Sequence, residues 1–292
     1  MFEKLLVMTD ASPASERLLD CVEGLRACGA RLVVLCHVVE VESAAGLNDY
    51  LRTHLQPRLD SQKRRLEQAG FRVEVEIPLG EPEVEVNRLA AEKGCGLIVV
   101  ATETHGPLRD FLVGSLACSL LHSAEVPVFL ARIEILTGED ACCRTVCRDL
   151  CRRVLFPTDF SASAEAAFGT LLLLVRDCRA PVTLLHVQDK ARLSPHLLDR
   201  LEEFDRIDRQ RLERLERELR DAGAPEVESR VVFGHPAEEI LKAARGGDFS
   251  LILMGRHGRG FFAREVLGGV AHRIATHAPL PVIFTPAPPG EV

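Results

Sequence analysis

Residues 251–269 read LILMGRHGRGFFAREVLGG, an apolar run that leads directly into a glycine-rich loop. The run Leu251-Ile252-Leu253-Met254 is apolar without alternation. Because alternation disappears when both faces of a strand are buried, the run predicts a strand of a parallel sheet covered by helices. The pair Gly268-Gly269 is placed to open the next helix, whose first N–H groups and positive dipole end favour an anion.

A second polar segment, Pro157-Thr158-Asp159-Phe160-Ser161, ends the first apolar run of the same half. In a doubly wound sheet of strand order 3-2-1-4-5, the ligand crevice opens at the carboxyl ends of strands one and four. We therefore expect this segment and the glycine loop to converge there. The carboxylate of Asp159 can accept hydrogen bonds from a ribose hydroxyl or a base edge. Glycines let backbone N–H groups approach a phosphate.

Both features have a counterpart in the first half of the chain. Thr9-Asp10 recurs 149 positions later as Thr158-Asp159, and Gly114 recurs 154 positions later as Gly268. Two similar copies within 292 residues predict two similar domains.

Each half alternates short apolar runs with stretches whose apolar residues recur at helical spacing. The predicted strands are 4–8, 31–39, 71–77, 96–101 and 127–131, then 153–156, 182–187, 227–233, 250–254 and 281–284. We predict an α/β fold of two tandem doubly wound domains, each a five-stranded parallel sheet of order 3-2-1-4-5 with helices on both faces. The domains are predicted at 1–135 and 152–292, with a cysteine-rich linker at 136–151.

Composition and charge favour a cytoplasmic protein. The net charge is −7, and acidic and basic residues are mixed along the chain, which argues against nucleic-acid and anionic-membrane partners. The early apolar run 5–8 ends before Asp10, too short for a signal-peptide core, and no run reaches the roughly 20 residues of a membrane span. The ten cysteines are therefore expected to be reduced thiols.

The spacing Gly255-x2-Gly258-x9-Gly268, with its strand context and the upstream Asp159, resembles the universal stress protein family in its ATP-binding, tandem-domain form. The resemblance implies that Asp159 and Val187 border the adenine and ribose and that the three glycines cradle the phosphates. It also places helix-start contacts at Gly269 and Val270. The family carries Ser or Thr where this chain has Gly269, so a hydroxyl contact to phosphate is lost while the backbone N–H remains.

The first half departs from this motif in the complementary way. Aligned from Gly114, the first half has Ala101 and Thr104 at the first two glycine positions of the motif. In an alternative alignment, a two-residue deletion places Gly106 at the second glycine position. The second loop offers basic and polar residues to a polyphosphate, whereas the first loop is less basic. These residues are Arg256, His257, Arg259 and Arg264 in the second loop, and Glu103, His105 and Arg109 in the first. We predict nucleotide mainly in the second domain, with Asp10, Val38, Gly114 and Ser115 as candidate binding residues of the first.

Each signal also has a structural interpretation. Asp10 and Asp159, each followed by Ser two residues later, also fit helix N-terminal signals. His37 and His186 each end an apolar strand, and no nucleophile stands at a recognisable spacing, so both are interpreted as structural.

A cluster of cysteines lies in the predicted linker. On a helix, Cys143, Cys147 and Cys151 would share one face, where thiolates flanked by arginines could bind zinc or copper or act as a redox sensor. The cluster lacks the paired C-x2-C of standard zinc sites. The alternative is that these cysteines, like Cys21 and the others, are packing residues.

The leading functional hypothesis is a regulator of the stress response that binds ATP, with or without magnesium, or another adenine nucleotide. We expect a binding protein with at most slow ATP hydrolysis, because no Gly-x4-Gly-Lys-(Ser/Thr) string occurs. The alternative is a nucleotide-free interaction scaffold switched by metal or redox chemistry at the linker cysteines. In this family the last strands of two domains commonly pair, which implies an internal pseudo-dimer of 126–130 with 280–284 and allows a homodimer of whole chains.

Overall fold

The computed structural model describes residues 2–40, 51–105, 113–136, 142–145, 147, 149–189, 201–258 and 267–287. The chain divides into two compact units, Met1–Arg148 and Asp149–Val292. Their division falls inside the segment 136–151 that was predicted as a linker. Within the described ranges, no helix combines the length and the apolar character needed to cross a membrane.

The first unit contains a parallel sheet with strand order β3-β2-β1-β4-β5. Its strands and α-helices, in chain order, are β1 (Lys4–Met8), α1 (Pro13–Gly24), β2 (Leu32–Cys36), α2 (Gln56–Gln68), β3 (Arg72–Glu76), α3 (Pro82–Glu92), β4 (Leu97–His105), α4 (Ser115–Ser123), β5 (Val128–Leu136) and β6 (Cys142–Thr145). A 3₁₀ segment (Leu25–Cys28) follows α1, and a π-helical segment (Leu51–Leu55) precedes α2. The short strand β6 pairs antiparallel with β5 and had no counterpart in the prediction.

The second unit repeats this order as β9-β8-β7-β10-β11, again with parallel pairing throughout. Its elements are β7 (Val154–Thr158), α5 (Ala162–Cys178), β8 (Val182–Asp189), α6 (Leu201–Asp221), β9 (Val227–Gly234), α7 (Pro236–Gly246), β10 (Leu251–Gly255), α8 (Gly269–His277) and β11 (Val282–Thr285). The predicted α/β class and the order 3-2-1-4-5 in each unit are confirmed.

The core of each unit is the sheet itself. All five residues of β7 and all five of β10 are buried, as expected for central strands covered on both faces. In β10, Ile252 lies beside Leu155 of β7 and Val282 of β11. The order places β7 next to β10, so the carboxyl ends of these two strands meet at the point where the winding reverses.

The corner between the first strand and first helix of each unit is built in the same way. Ser12 and Ser161 cap α1 and α5, accepting hydrogen bonds from the N–H groups of Ser15 (3.2 Å) and Ala164 (3.3 Å). The residue that precedes each cap has a positive φ, 58° in the first unit and 57° in the second. This left-handed residue turns the chain sharply and brings the preceding aspartate to the carboxyl edge of the sheet.

Candidate functional site

A cavity of about 620 Å³ opens in the second unit at the carboxyl ends of β7, β8 and β10. It lies at the reversal point of the strand order, where ligands bind in doubly wound sheets. The nine described residues that were predicted for the second domain all line it, namely Asp159, Val187, Gly255, Arg256, His257, Gly258, Gly268, Gly269 and Val270. Four separate segments of the chain supply them.

Asp159 is fixed by the corner that follows β7. Its Oδ1 accepts the N–H of Ser161 at 3.0 Å, and the N–H of Phe160 donates to Thr158 Oγ1 at 3.1 Å. A Cβ atom added to Gly258 would lie 2.8 Å from Asp159 Oδ2. Gly258 therefore allows the loop after β10 to lie directly against the aspartate carboxylate.

The glycines of the loop have different roles. A Cβ atom on Gly255 would lie 2.8 Å from the backbone carbonyl of Ser163, so this glycine is required by the packing of β10 against the start of α5. A Cβ atom on Gly268 would lie 3.1 Å from the carbonyl oxygen of Arg256. Around Gly269, by contrast, no described atom lies within 4 Å of an added Cβ. The position where the family carries a hydroxyl is therefore open.

The two ends of the loop are tied together. The N–H of Gly268 donates to the carbonyl of Arg256 (3.1 Å), whose own N–H donates to Thr285 (3.0 Å). The N–H of His257 donates to Ser163 Oγ at 3.3 Å. Arg259 and Arg264, predicted to face a polyphosphate, lie outside the described residues.

One wall of the cavity is suited to an anion. Arg256 is buried, and burial lowers the pKa of its guanidinium to about 10, so the group is charged at neutral pH. The first residues of α8, Gly269 to Ala271, also line the cavity. The first N–H groups of a helix have no intrahelical partner and carry the positive end of its dipole. This wall combines a buried cation with a helix start, which is an arrangement that binds phosphate.

The opposite wall contains polar residues that the sequence analysis missed. Asp208 of α6 is 9% exposed. Its Oδ2 accepts a hydrogen bond from Gln188 Nε2 at 3.1 Å and lies 3.3 Å from His186 Nε2. His186 Nδ1 lies 2.8 Å from the carbonyl oxygen of Thr158, which agrees with its interpretation as a held strand-end residue. Yet His186, Gln188 and Asp208 all line the cavity, as does Arg211, whose Cζ lies 5.2 Å from the centre of the Phe160 ring.

A signal for Asp208 was present in the sequence. It stands within the helical stripe that contains Phe204, Leu212 and Leu215, of which the two leucines are buried. An acid on an apolar stripe needs a buried partner, because an unpaired buried charge is costly.

The first unit has the same corner, but its aspartate accepts a different set of hydrogen bonds. Asp10 accepts hydrogen bonds from the N–H of Ser12 (2.9 Å) and from the hydroxyl of Ser15. Burial would raise the pKa of Asp10, but these hydrogen bonds outweigh it and hold the pKa below its ordinary value. The position equivalent to Ser15 in the second unit is Ala164, which lines the cavity.

The other candidates of the first unit lie at the same edge of its sheet. Val38 follows β2, Gly114 is the N-terminal cap of α4, and Ser115 is the first residue of that helix. Ala101 lies within β4, paired with Ala131. Gly106 and Arg109 lie outside the described residues, and of Glu103, Thr104 and His105 the structure describes the strand backbone.

The cysteine predictions need correction. Cys21 and Cys147 form a buried disulfide, so the expectation of reduced thiols, and the packing interpretation of Cys21, are wrong for this pair. Cys143 lies in the strand β6 rather than on a helix, so the shared helical face with Cys147 and Cys151 does not exist. In the disulfide, Cys147 has no thiolate to offer to zinc or copper.

Comparison with known proteins gives the family. The model of the universal stress protein family matches residues 1–132 and 151–286. A universal stress protein from Mycolicibacterium smegmatis is 27% identical over 295 residues, covering 96% of this chain and 95% of its own. Universal stress protein MJ0577 of Methanocaldococcus jannaschii is 29% identical over 155 residues, 45% of this chain and 96% of its own.

Among solved structures, a universal stress protein from Archaeoglobus fulgidus is similar in fold over the whole length. Its TM-score is 0.74 at 21% identity, and the match covers 99% of this chain and 100% of that one. The two family matches coincide with the two repeated sheets, and together they cover most of the 292 residues. The chain therefore belongs to the universal stress protein family.

Proposed function

We propose that this protein is a stress-response regulator that binds ATP, or a closely related adenine nucleotide, mainly in its second unit. The observation that carries the proposal is the convergence of the nine predicted residues on one cavity with a phosphate-compatible wall. Its volume of about 620 Å³ is within the usual range of small-molecule pockets.

We assign the residues along the cavity to different parts of the nucleotide. Gly258 lets the loop approach the phosphates closely, and the guanidinium of Arg256 and the start of α8, which Gly268 caps, supply positive charge there. Asp159 and Val187 border the ribose and base. Phosphate oxygens together with the Asp159 carboxylate are the oxygen donors that magnesium prefers, so the nucleotide could carry the ion with it.

The first unit is a weaker candidate for the same ligand. Asp10 already accepts a hydrogen bond from the hydroxyl of Ser15, whose equivalent in the second unit is Ala164, a residue that lines the cavity. Ala101 stands where Gly255 stands in the second unit.

Nucleotide binding in the second unit favours one conformation of the protein over another, which changes its partners without the need for turnover.

The test is to identify small molecules released on heating the purified protein and to titrate the protein with ATP, with and without magnesium, by calorimetry. About one adenine nucleotide per chain supports the proposal. Gly258→Val should abolish binding, because the new side chain displaces the Asp159 carboxylate. Unchanged affinity in that variant would reject the phosphate cradle.

A matched pair of variants distinguishes the two units. Gly268 and Gly114 are the N-terminal caps of the equivalent helices α8 and α4. Gly268→Val should prevent binding, whereas Gly114→Val, with no described atom within 4 Å of its Cβ, should leave it unchanged. The reverse result would assign the nucleotide to the first unit. If the wild-type protein binds no nucleotide, the nucleotide-free scaffold becomes the better hypothesis.

A further inference from the structure

We propose that Asp208 of α6 is a specificity-determining residue of this cavity. Its carboxylate accepts a hydrogen bond from a donor at the end of the ligand remote from the phosphate, which in an adenine nucleotide is the exocyclic amino group. This inference rests on the proposed function, because it identifies which part of the nucleotide is recognised and by which group.

The position of Asp208 places it at the base end. It contacts His186 and Gln188, which end β8, whereas the phosphate-compatible wall begins at Gly255, the last residue of β10. β7 lies between these two strands. With neighbouring strands roughly 4.8 Å apart, the two walls are separated by about 10 Å. A ligand whose phosphate lies against the β10 wall therefore presents its other end to Asp208.

The contacts of the carboxylate leave one oxygen for the ligand. Both short contacts, from Gln188 Nε2 at 3.1 Å and from His186 Nε2 at 3.3 Å, are made to Oδ2. Among the described residues, the charged neighbour of Oδ1 is Arg211 at 3.9 Å, beyond hydrogen-bond distance. An ionised carboxylate has about four acceptor sites. Oδ1 can therefore accept a donor from a molecule in the cavity.

His186 and Gln188 hold the carboxylate in place. Both nitrogens of the His186 ring face oxygen atoms, Thr158 O at 2.8 Å and Asp208 Oδ2 at 3.3 Å. Gln188 Nε2 donates to the same Oδ2 at 3.1 Å, so two side chains of β8 contact this oxygen and fix the orientation of the acid. A fixed acceptor discriminates between ligands better than a mobile one, because a mismatched ligand cannot be accommodated by rotation.

The fold does not require an acid at this position. α2 and α6 end in the same way, since Leu66 and Leu219 accept equivalent hydrogen bonds from Phe71 and Ala224. Counting back the same number of residues from Leu66 and from Leu219 makes Leu55, the last residue of the π-helical segment before α2, the equivalent of Asp208, and Leu55 is 2% exposed. In the first unit, His37 Nδ1 makes the equivalent contact with the carbonyl oxygen of Thr9 at 2.8 Å, and no acid of the described residues is recorded against this ring. Among the described residues, Asp208 therefore has no acidic counterpart at the equivalent position of the first unit.

The discriminating experiment compares three nucleotides by calorimetry. ATP carries the amino group, purine riboside triphosphate lacks it, and inosine triphosphate has a carbonyl oxygen in its place. We expect the wild-type protein to bind ATP about tenfold or more tightly than either analogue. The purine riboside loses a hydrogen bond to a charged group. Inosine triphosphate places a carbonyl oxygen, which is also an acceptor, next to the carboxylate. Equal affinity for all three would overturn the proposal without any variant.

Variants then assign the effect to Asp208. Asp208→Asn offers an amide that donates as well as accepts, so the ratio of ATP to inosine triphosphate affinity should fall to within about threefold. Asp205→Asn removes the same charge from a half-buried position of α6 that does not line the cavity and should keep the wild-type ratio. Thermal unfolding checks that both variants fold. If Asp208→Asn does not fold, Gln188→Met, which removes one contact that holds the acid, should also lower the ratio.

The outcomes separate the two proposals. If the wild-type protein binds none of the nucleotides, the proposed function fails and this inference falls with it. If ATP binds and Gly258→Val abolishes binding, but Asp208→Asn keeps the full ratio, nucleotide binding stands and the role of Asp208 is refuted.

Discussion

Gly269→Ser should strengthen nucleotide binding by about tenfold. Gly269 is the first residue of α8 and lines the cavity, and a Cβ atom built there meets no described atom within 4 Å. A serine therefore fits without moving any described atom. Its hydroxyl adds a donor beside the helix N–H groups, at the position where the family carries Ser or Thr.

The magnitude follows from the kind of contact that is added. A hydrogen bond to a charged group contributes about 1.5–3 kcal/mol. Fixing the serine rotamer and removing water from the hydroxyl offset part of this gain, so we use the lower end of the range. A gain of about 1.4 kcal/mol corresponds to a factor of ten in affinity. Replacing glycine in a helix also stabilises the fold by up to about 1 kcal/mol, an effect of the backbone rather than of the hydroxyl.

Gly269→Ala is the matched control for that backbone effect. Both variants should show a similar rise in unfolding temperature, but calorimetric titration with ATP should show tighter binding for serine alone. If serine and alanine bind ATP equally, the hydroxyl makes no phosphate contact, and the placement of the phosphate at the start of α8 is refuted.

Three further predictions concern stability. Cys147→Ser removes the disulfide across 126 positions and should lower the free energy of unfolding of the first unit by up to about 5 kcal/mol in urea titrations. Ser15→Ala should destabilise the first unit at neutral pH. Because its hydroxyl helps hold the pKa of Asp10 low, the difference should shrink as the pH falls below about 3.9 and through the folded pKa. Gly255→Ala forces a Cβ to within 2.8 Å of the Ser163 carbonyl and should cost about 1–3 kcal/mol, measured by thermal unfolding.

Two of these variants have a matched control, and the third has a pH dependence that tests it. Cys118→Ser alters a half-buried thiol outside the disulfide and should leave stability nearly unchanged. Gly246→Ala adds a Cβ with no described atom within 4 Å and should not destabilise the protein. A Ser15→Ala variant whose deficit stayed constant down to pH 2 would contradict the role of the hydroxyl in holding Asp10 ionised.

The fold could be predicted because its signals are local. Continuous apolar runs such as 251–254 indicate strands buried on both faces, and the repeat fixes two copies of one topology. The strand β6 escaped prediction because its four residues form no apolar run, and it depends on pairing with β5. The disulfide escaped because connectivity between distant cysteines cannot be deduced from their spacing.

The cavity was predicted in part, for a related reason. The glycine loop and Asp159 follow strands whose ends must meet, so their convergence could be deduced from topology. The wall made by Asp208 depends on which face of α6 covers β8, and that is a matter of tertiary packing. A single acid on an apolar stripe marked it, but the partners, His186 and Gln188, are visible in the folded unit alone.

The two units serve as internal controls for each other. A feature that both share, such as the aspartate that follows β1 and β7, meets a requirement of the corner, since each accepts the N–H of a capping serine. Asp159 is therefore not identified as a ligand contact by its presence alone. What distinguishes the second unit is the set of differences around it: Gly258 against its carboxylate, Ala164 in place of Ser15, and Asp208 in the opposite wall. Ser15→Ala alone should consequently not create a nucleotide site in the first unit, because Ala101 still occupies the first glycine position of its loop.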